Sequence, residues 1–348
     1  MKLKKKNSLS LDKFINFSLY DKKFGYYMKK NPFGQESDFI TAPNISRLFS
    51  EMIAIWIISF WQSLGSPKKF NLVELGAGNG EMMKIIIESF QNFPFFLKSC
   101  NFMIHEKSPT LINIQKKKLI KNKIKWIPNI NKINKDPSIF IANEFFDAIA
   151  IKQFNKKKSL WFEKFVNLEN SKRPFFFEKR ADIKKIEKKI KFKISQNQNF
   201  IEYSKLGLNY LKDISNIIKK NTGGLLLIDY GYTDKKMKNT LQAVSNHKFA
   251  NILSNIGNVD ITHNINFNIF EKFVKQMNGL KTNLTSQKDF LTKLGIKERA
   301  EIISKNKNFT KKSDIYYRLE RLINKKQMGH LFKVMLIKNE NNNFKLGF

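Results

Sequence analysis

The sequence predicts an α/β fold with a mostly parallel, doubly wound sheet, N-terminal helices and an inserted α+β region. Three observations predict it. Short apolar runs of strand length alternate with amphipathic stretches of helix length, a pattern that buries a parallel sheet between helical layers. The first apolar run, Phe70-Asn71-Leu72-Val73-Glu74-Leu75, breaks into a glycine-rich turn. The polar motifs that follow fall at the ends of later runs, where sheets of this kind bind their ligands.

The elements follow in order. Residues 1–65 read as a helical segment with an embedded loop. Leu11, Phe14, Ile15, Ser18 and Leu19 share one helix face, and Arg47 to Leu64 forms a second helix closed by Gly65-Ser66-Pro67. The intervening segment, Phe24-Gly25-Tyr26-Tyr27 through Asn31-Pro32-Phe33-Gly34 to Asp38-Phe39-Ile40-Thr41-Ala42-Pro43, mixes turn formers with aromatics, which suits a loop over a site. Residues 66–150 hold the core: strands at 70–75, 101–105, 124–127 and 138–142, with helices at 81–90 and 108–120, the latter capped by Ser108 with Pro109 in its first turn. Residues 151–205 break the rhythm and read as an insertion, with a hairpin at 151–154 and 160–168 and a lysine-dense stretch of low pattern at 169–200. Residues 206–348 resume the core with a helix near 205–220, the buried strand Leu225-Leu226-Leu227-Ile228, further helices and a late strand, Leu331 to Ile337. The tail Asn339 to Asn343 is expected to fray.

Composition narrows the function. A chain of 348 residues with 42% hydrophobic residues supports a large packed core. Its one cysteine, Cys100, excludes an internal disulfide and a cysteine-based zinc site, and its four histidines lack ligand spacing, so no metal is expected. No run has signal-peptide or membrane-spanning length, so membrane insertion is not expected and the expected location is the cytoplasm of a bacterium, or the mitochondrial matrix in a eukaryotic relative. The net charge of +35 invites a nucleic-acid partner. The excess is nearly all lysine, spread along the chain and accompanied by abundant Asn, Ile and Phe. A/T-rich codon drift with a solvated surface accounts for it, so nucleic acid is not the expected partner.

The chemistry lies at three strand ends. In Glu74-Leu75-Gly76-Ala77-Gly78-Asn79-Gly80, glycines allow positive φ and a close backbone approach by a ligand. The spacing differs from the dinucleotide G-x-G-x-x-G, and no phosphate-binding lysine and hydroxyl follow. Glu74 would repel a pyrophosphate but can orient an ammonium. S-adenosyl-L-methionine carries an ammonium and a sulfonium and no phosphate. Glu106, directly after the second strand, can accept hydrogen bonds from both ribose hydroxyls; it lies about thirty residues beyond the turn, against ~20 in dinucleotide folds. Asn143-Glu144-Phe145-Phe146-Asp147 closes the fourth strand, where Glu144 and Asp147 can grip a cationic nucleophile. The candidate cofactor residues are therefore Glu74, Gly76, Ala77, Gly78, Gly80, Glu106 and Asn143, and the candidate catalytic residues Asn143, Glu144 and Asp147.

The chain resembles the MidA family of class I, Rossmann-like methyltransferases, which includes a mitochondrial complex I assembly factor with protein arginine methyltransferase activity. The matching stretches are Phe24-Gly25-Tyr26-Tyr27, Asp38 to Pro43 with Ile45-Ser46, Val73 to Gly80, Glu106 to Pro109 with Leu111 and Gln115, Ala142 to Ala148, Ile228-Asp229-Tyr230-Gly231, Asp289-Phe290 with Leu294-Gly295-Ile296, and Met328-Gly329 with Phe332-Lys333-Val334. They run in order through nearly the whole chain. The resemblance implies that Gly76, Gly78 and Gly80 line S-adenosylmethionine, that Glu106 holds its ribose, that Asn143 and Glu144 lie beside the transferred methyl, and that the 38–43 loop helps close the site. The turn departs from the family at Asn79-Gly80-Glu81, where arginine, glycine and threonine are common, and residues 155–204 match little. The implied partner is a protein, by the resemblance an arginine in a core subunit of the respiratory NADH–quinone oxidoreductase (complex I), whose assembly the enzyme would support. Whether the chain acts as a homodimer is left open.

Transfer from a sulfonium is an in-line displacement that needs a nucleophile placed about 3 Å from the methyl and water excluded. An arginine target is charged, and carboxylates such as Glu144 and Asp147 can bind it bidentately. Two other readings remain at this level: a nucleic-acid methyltransferase, since Asn143 to Phe146 distantly resembles an Asn-Pro-Pro-Phe/Tyr motif without its prolines, and an assembly chaperone that binds the cofactor without catalysis.

Overall fold

The computed structural model describes residues 8–29, 41–169, 173–245 and 248–348. At the N-terminus, β1 (Ser8–Ser10) leads into α1 (Leu11–Tyr20), followed by the short helices α2 (Tyr26–Lys29) and α3 (Ala42–Ile45). Ser46 caps α4 (Arg47–Ser63) by accepting from the Leu48 N–H. The core begins with β2 (Phe70–Leu75), α5 (Glu81–Phe90), α6 (Pro94–Ser99), β3 (Cys100–His105), α7 (Pro109–Lys118), β4 (Ile124–Trp126) and β5 (Ser138–Asn143). Then come β6 (Lys152–Lys157), β7 (Leu160–Asn167), β8 (Phe175–Ala181), α8 (Ile183–Ile190) and β9 (Phe200–Tyr203). The chain returns through α9 (Lys205–Asn221) and β10 (Gly223–Tyr232), and adds three short strands, β11 (Gln242–Ser245), β12 (Lys248–Ala250) and β13 (Asp260–Thr262). It ends with β14 (Ile265–Asn266), α10 (Phe267–Lys275), β15 (Leu280–Ser286), α11 (Gln287–Lys293), α12 (Ile296–Ser304), α13 (Phe309–Ile323), α14 (Met328–Leu331) and β16 (Phe332–Asn339).

The central sheet runs β15-β16-β10-β5-β2-β3-β4, with β14 beside β10. From β4 to β10 all neighbours are parallel; β16 and β15 are antiparallel at one side. Strand order reverses between β2 and β5, because β3 and β4 extend to one side of β2 while β5 and β10 extend to the other. A crevice opens at such a reversal, at the carboxyl ends of the strands. Register brings three ends to one level: Leu75 pairs with His105 on one side and with Ala142 on the other. Gly76, Glu106 and Asn143 therefore emerge together.

Each sheet face carries its own core. Phe70, Leu72, Ile104 and Ile141 pack against α4, α5 and the C-terminal helices, with Trp56, Phe60 and Phe290 fully buried. Val73, Leu75, Phe140 and Ala142 face α9 and α10. The alternation within β2 and β5 is the period-two signature of a strand buried on both faces.

Four expectations change. The N-terminal segment is not purely helical: Ser8, Leu9 and Ser10 pair antiparallel with Asn167, Val166 and Phe165. The stretch 169–200 is structured where it is described, with β8 on β7, an amphipathic α8 and β9 on β6, giving a second sheet. Its apolar period, Ile183, Ile186 and Ile190, lies beneath the lysines. Strands β11 to β13 form a third, small sheet. The tail does not fray: Glu340 N–H donates to Gly279 O at 3.1 Å, Trp56 Nε1–H to Leu346 O at 3.2 Å, and Phe344 meets Phe60 edge-on at 5.1 Å.

Candidate functional site

The glycine turn needs glycine at three places. Gly76, Gly78 and Gly80 have φ of 65°, 53° and 78°. A Cβ on Gly76 would stand 2.8 Å from Phe145 Cδ2, so the backbone there is bare for a second reason. Neighbours hold the turn. Gly76 N–H donates to His105 O at 2.9 Å, and Asn79 Nδ2 donates to Asn44 Oδ1 at 3.0 Å, tying the turn to the segment before α4. Gln115 on α7 reaches both the turn and Glu106, with Nε2 donating to Gly78 O at 2.9 Å and to Glu106 Oε2 at 3.2 Å, while its Oε1 accepts from Trp126 Nε1–H at 2.9 Å. The sequence gives Gln115 no role; its placement by α7 reveals one.

Two hollows flank the turn. A cavity of about 690 Å³ is lined by Gly76, Gly78, Glu106, Glu144 and a set of aromatic rings. A smaller hollow of about 380 Å³, on the side of Thr41 and Met82, shares Gly76, Gly78 and Glu144 with it and adds Glu74, Ala77 and Asn143. The Thr41–Pro43 part of the expected closing loop borders this smaller hollow; residues 38–40 lie outside the described residues.

Three carboxyl groups stand in the walls, Glu106 in the larger hollow, Glu74 in the smaller and Glu144 in both. Glu74 is buried, and its Oε2 has no hydrogen-bond partner among the described residues. Burial, and then the charge of Glu106, push its carboxyl up to about 8. Glu106 accepts from the N–H groups of Lys107 and Ser108 at 2.8 and 2.9 Å, which opposes the upward shift that burial imposes. Asn143 donates from Nδ2 to Glu144 Oε1 at 3.1 Å, while its Oδ1 is buried without a partner among the described residues. Glu144 adopts φ 50°, a left-handed conformation costly for a residue with a Cβ. Its backbone N–H continues the β5–β10 ladder to Ile228 O at 2.9 Å, and Oε1 also accepts from the Ala42 N–H at 3.4 Å. Burial pushes its carboxyl up to about 7 against those two donors.

Asp147 is placed differently. It is buried but lines neither hollow. It lies beside Asp229, whose Oδ1 and Oδ2 accept backbone N–H groups from Tyr230, Phe146 and Asp147. Burial, then the Asp229 charge, drive Asp147 well above the usual carboxylate range. Burial, then the Glu144 charge, raise Asp229 as well, against its three backbone donors.

Aromatic side chains complete the larger cavity. Tyr20 stacks on Tyr27 at 5.5 Å, and Phe145 meets Tyr210 edge-on at 5.2 Å. Tyr210 reaches the site from α9, more than 100 residues from the glycine turn, so sequence proximity carries no signal for it. Tyr26-Tyr27 stands out in the sequence as a pair of aromatics in a loop and as part of a stretch shared with the family, with no role attached.

Residues 52–285 match the family described as S-adenosyl-L-methionine-dependent methyltransferases. The chain belongs to the MidA family of these methyltransferases. S-Adenosyl-L-methionine is its cofactor. Among curated relatives, the mitochondrial protein arginine methyltransferase NDUFAF7 of Xenopus tropicalis is 27% identical over 95% of this chain and 83% of its own length. The human protein of the same name is 26% identical over 95% and 80%. Among solved structures, a protein from Burkholderia thailandensis bound to S-adenosyl-homocysteine superposes with TM-score 0.82 at 19% identity, covering 98% of this chain and 90% of that one. That likeness shows that this methyltransferase has the Rossmann-like fold of the class.

The site fits the cofactor. Glu74 Oε2 and Asn143 Oδ1 are buried acceptors awaiting donors, the turn offers backbone without side chains, and the flanking carboxylates suit a ligand that carries an ammonium and a sulfonium.

Proposed function

We propose that this methyltransferase acts on the guanidinium of an arginine in a protein substrate. One observation carries the reading: Glu144, a half-buried carboxylate in strained left-handed backbone, lines both hollows beside the glycine turn together with the bare Gly76 and Gly78. The names of the relatives support the same substrate class. When bound, S-adenosylmethionine supplies an electrophilic methyl group. In this reading Glu74 and Asn143 hold its amino-acid end, Gly76 to Gly80 lie against it, and Glu106 accepts from its ribose hydroxyls. Glu144 Oε1 is taken by Ala42 and Asn143, which leaves Oε2 for the guanidinium. A carboxylate there orients the attacking nitrogen, draws positive charge away from it and can take the proton that the methylated nitrogen loses. Asp147 acts as a positioning residue, held with Phe146 by Asp229. A core subunit of complex I is the target that the family resemblance names.

The test uses purified protein, S-adenosylmethionine labelled on the methyl and that subunit, followed by hydrolysis and amino-acid analysis. Label in methylarginine is the expected result. Label confined to lysine, or to RNA or DNA when these are added, overturns the substrate assignment while leaving the methyltransferase in place.

A further inference from the structure

The larger cavity is built like a receptor for a cation. Its rings are held by their hydroxyl groups. Tyr20 O–H donates to Ala148 O at 3.2 Å, and Tyr210 O–H donates to His105 Nε2 at 2.9 Å. That direction follows from the other ring nitrogen: His105 Nδ1 is 2.9 Å from Ile127 O, a pure acceptor, so Nδ1 carries the hydrogen and Nε2 accepts. Burial favours this neutral histidine. Tethered in this way, Tyr20 and Tyr210 spend their polar ends on the protein and leave their rings for the cavity.

A cation already stands over those rings. Lys107 Nζ lies 5.4 Å from the Tyr210 ring centre and 6.0 Å from that of Tyr20, within the range of cation–π attraction. Lys107, Tyr20 and Tyr210 all line the cavity whose wall includes Glu106 and Glu144. Only the Lys107 side chain is available to move; its backbone N–H is fixed on Glu106 Oε1 at 2.8 Å.

We propose that the Tyr20–Tyr210 slot receives the cationic side chain to be methylated, and that Lys107 is a resident occupant which the substrate displaces. The slot is thus a specificity-determining element: two aromatic walls favour a positive side chain, and the resident ammonium sets a threshold that weak or neutral ligands do not pass. The identity of the incoming cation as arginine rests on the function proposed above; the slot's preference for a cation does not.

The test is calorimetry on the full chain saturated with S-adenosyl-homocysteine, titrated with N-acetyl-arginine amide, N-acetyl-lysine amide and N-acetyl-citrulline amide. Lys107→Met is expected to tighten the arginine derivative by about three- to tenfold, because a competing and repelling charge leaves the rings. Lys107→Arg should stay near wild type. Tyr210→Leu should weaken the arginine derivative at least about threefold with S-adenosyl-homocysteine affinity held within about twofold. Neutral citrulline should bind poorly in the wild type and stay weaker than the arginine derivative in Lys107→Met. If arginine and lysine derivatives respond alike, the slot stands and arginine as the substrate loses its support. Arginine affinity unchanged by both Lys107→Met and Tyr210→Leu overturns the slot. So does loss of S-adenosyl-homocysteine affinity in Tyr210→Leu with cation binding intact, which would assign the ring to the nucleobase. Absence of cation binding in every variant overturns it as well.

Discussion

Asp229 Oδ2 accepts the backbone N–H groups of Phe146 at 3.0 Å and of Asp147 at 3.2 Å, so the end of β10 holds the loop that leaves β5. This bond pair links two motifs more than 80 residues apart in sequence. It also explains how Glu144 stays in left-handed backbone: one side of it is anchored in the ladder at Ile228 O and the other by the Asp229 clamp.

Asp229→Ala removes the buried acceptor for three backbone N–H groups, of Phe146, Asp147 and Tyr230. Unmet buried donors cost about 1–3 kcal/mol each where no water reaches them, and some relaxation is expected, so a loss of about 2–4 kcal/mol should appear in urea unfolding. Asp229→Asn keeps one acceptor oxygen and should lose less. Equal stability of wild type and Asp229→Ala would show that the clamp contributes nothing.

Glu144→Gln should keep cofactor affinity and lose methyl transfer by at least about 100-fold, the usual scale for a proton-handling group. Calorimetry with S-adenosyl-homocysteine and a labelled-methyl assay read the two quantities separately. Transfer at the wild-type rate would remove Glu144 from the mechanism.

Much of this site is legible in the sequence, and the legible part has one physical cause. In a parallel sheet the ligand lies at the carboxyl ends of strands, so Val73 to Gly80, Glu106 and Asn143 to Asp147 announce themselves as polar or glycine-rich breaks after apolar runs. Tyr20, Tyr210 and Gln115 sit on helices, where a residue aimed into a cavity looks like any other residue on an amphipathic face. Asp147 misleads for a related reason: its spacing from Glu144 says that both are near the strand end, but only the fold shows that Asp229 draws it away from the hollows. The second sheet is hidden by charge. β8 carries Glu178, Lys179 and Arg180 in seven residues and leaves Phe175 exposed, so neither alternation nor burial marks it. The tail at Asn339 to Asn343 looks frayed in the sequence because it is all polar, while the residues just after it, Phe344, Leu346 and Phe348, meet partners, Trp56, Phe60 and Phe290, that lie well back in the chain.

Gly76→Ala tests the bareness of the turn. Its new Cβ meets Phe145 Cδ2 at 2.8 Å, and the φ of 65° is itself unfavourable for alanine. The backbone term costs about 1–2 kcal/mol. Because Gly76 borders both hollows, the larger effect should fall on the cofactor, with S-adenosyl-homocysteine affinity down at least about tenfold. A Gly76→Ala protein that binds as well as wild type would show that the ligand does not approach this backbone.

The raised carboxyls give stability a defined pH dependence. In the unfolded chain Glu74 and Glu144 titrate near the usual ~4.3; in the folded protein without ligand they titrate at about 8 and about 7. Between those limits the folded state holds more protons on these two groups than the unfolded state, so their contribution to stability falls as pH rises from about 5 to about 8 and levels off above. The sign is opposite to that of a salt-bridged carboxylate, whose depressed pKa makes stability fall toward acid. Glu74→Gln removes the larger contribution, so its stability relative to wild type should increase with pH across that window in urea titrations. Cofactor binding should reverse the cause. An ammonium placed at Glu74 Oε2 favours the ionised carboxylate, so binding below pH 8 should expel a proton. Calorimetry with S-adenosyl-homocysteine at pH 7, in two buffers of different ionisation enthalpy, reads that proton directly. Its persistence in Glu74→Gln would move the proton to another group and leave Glu74 as a structural acid.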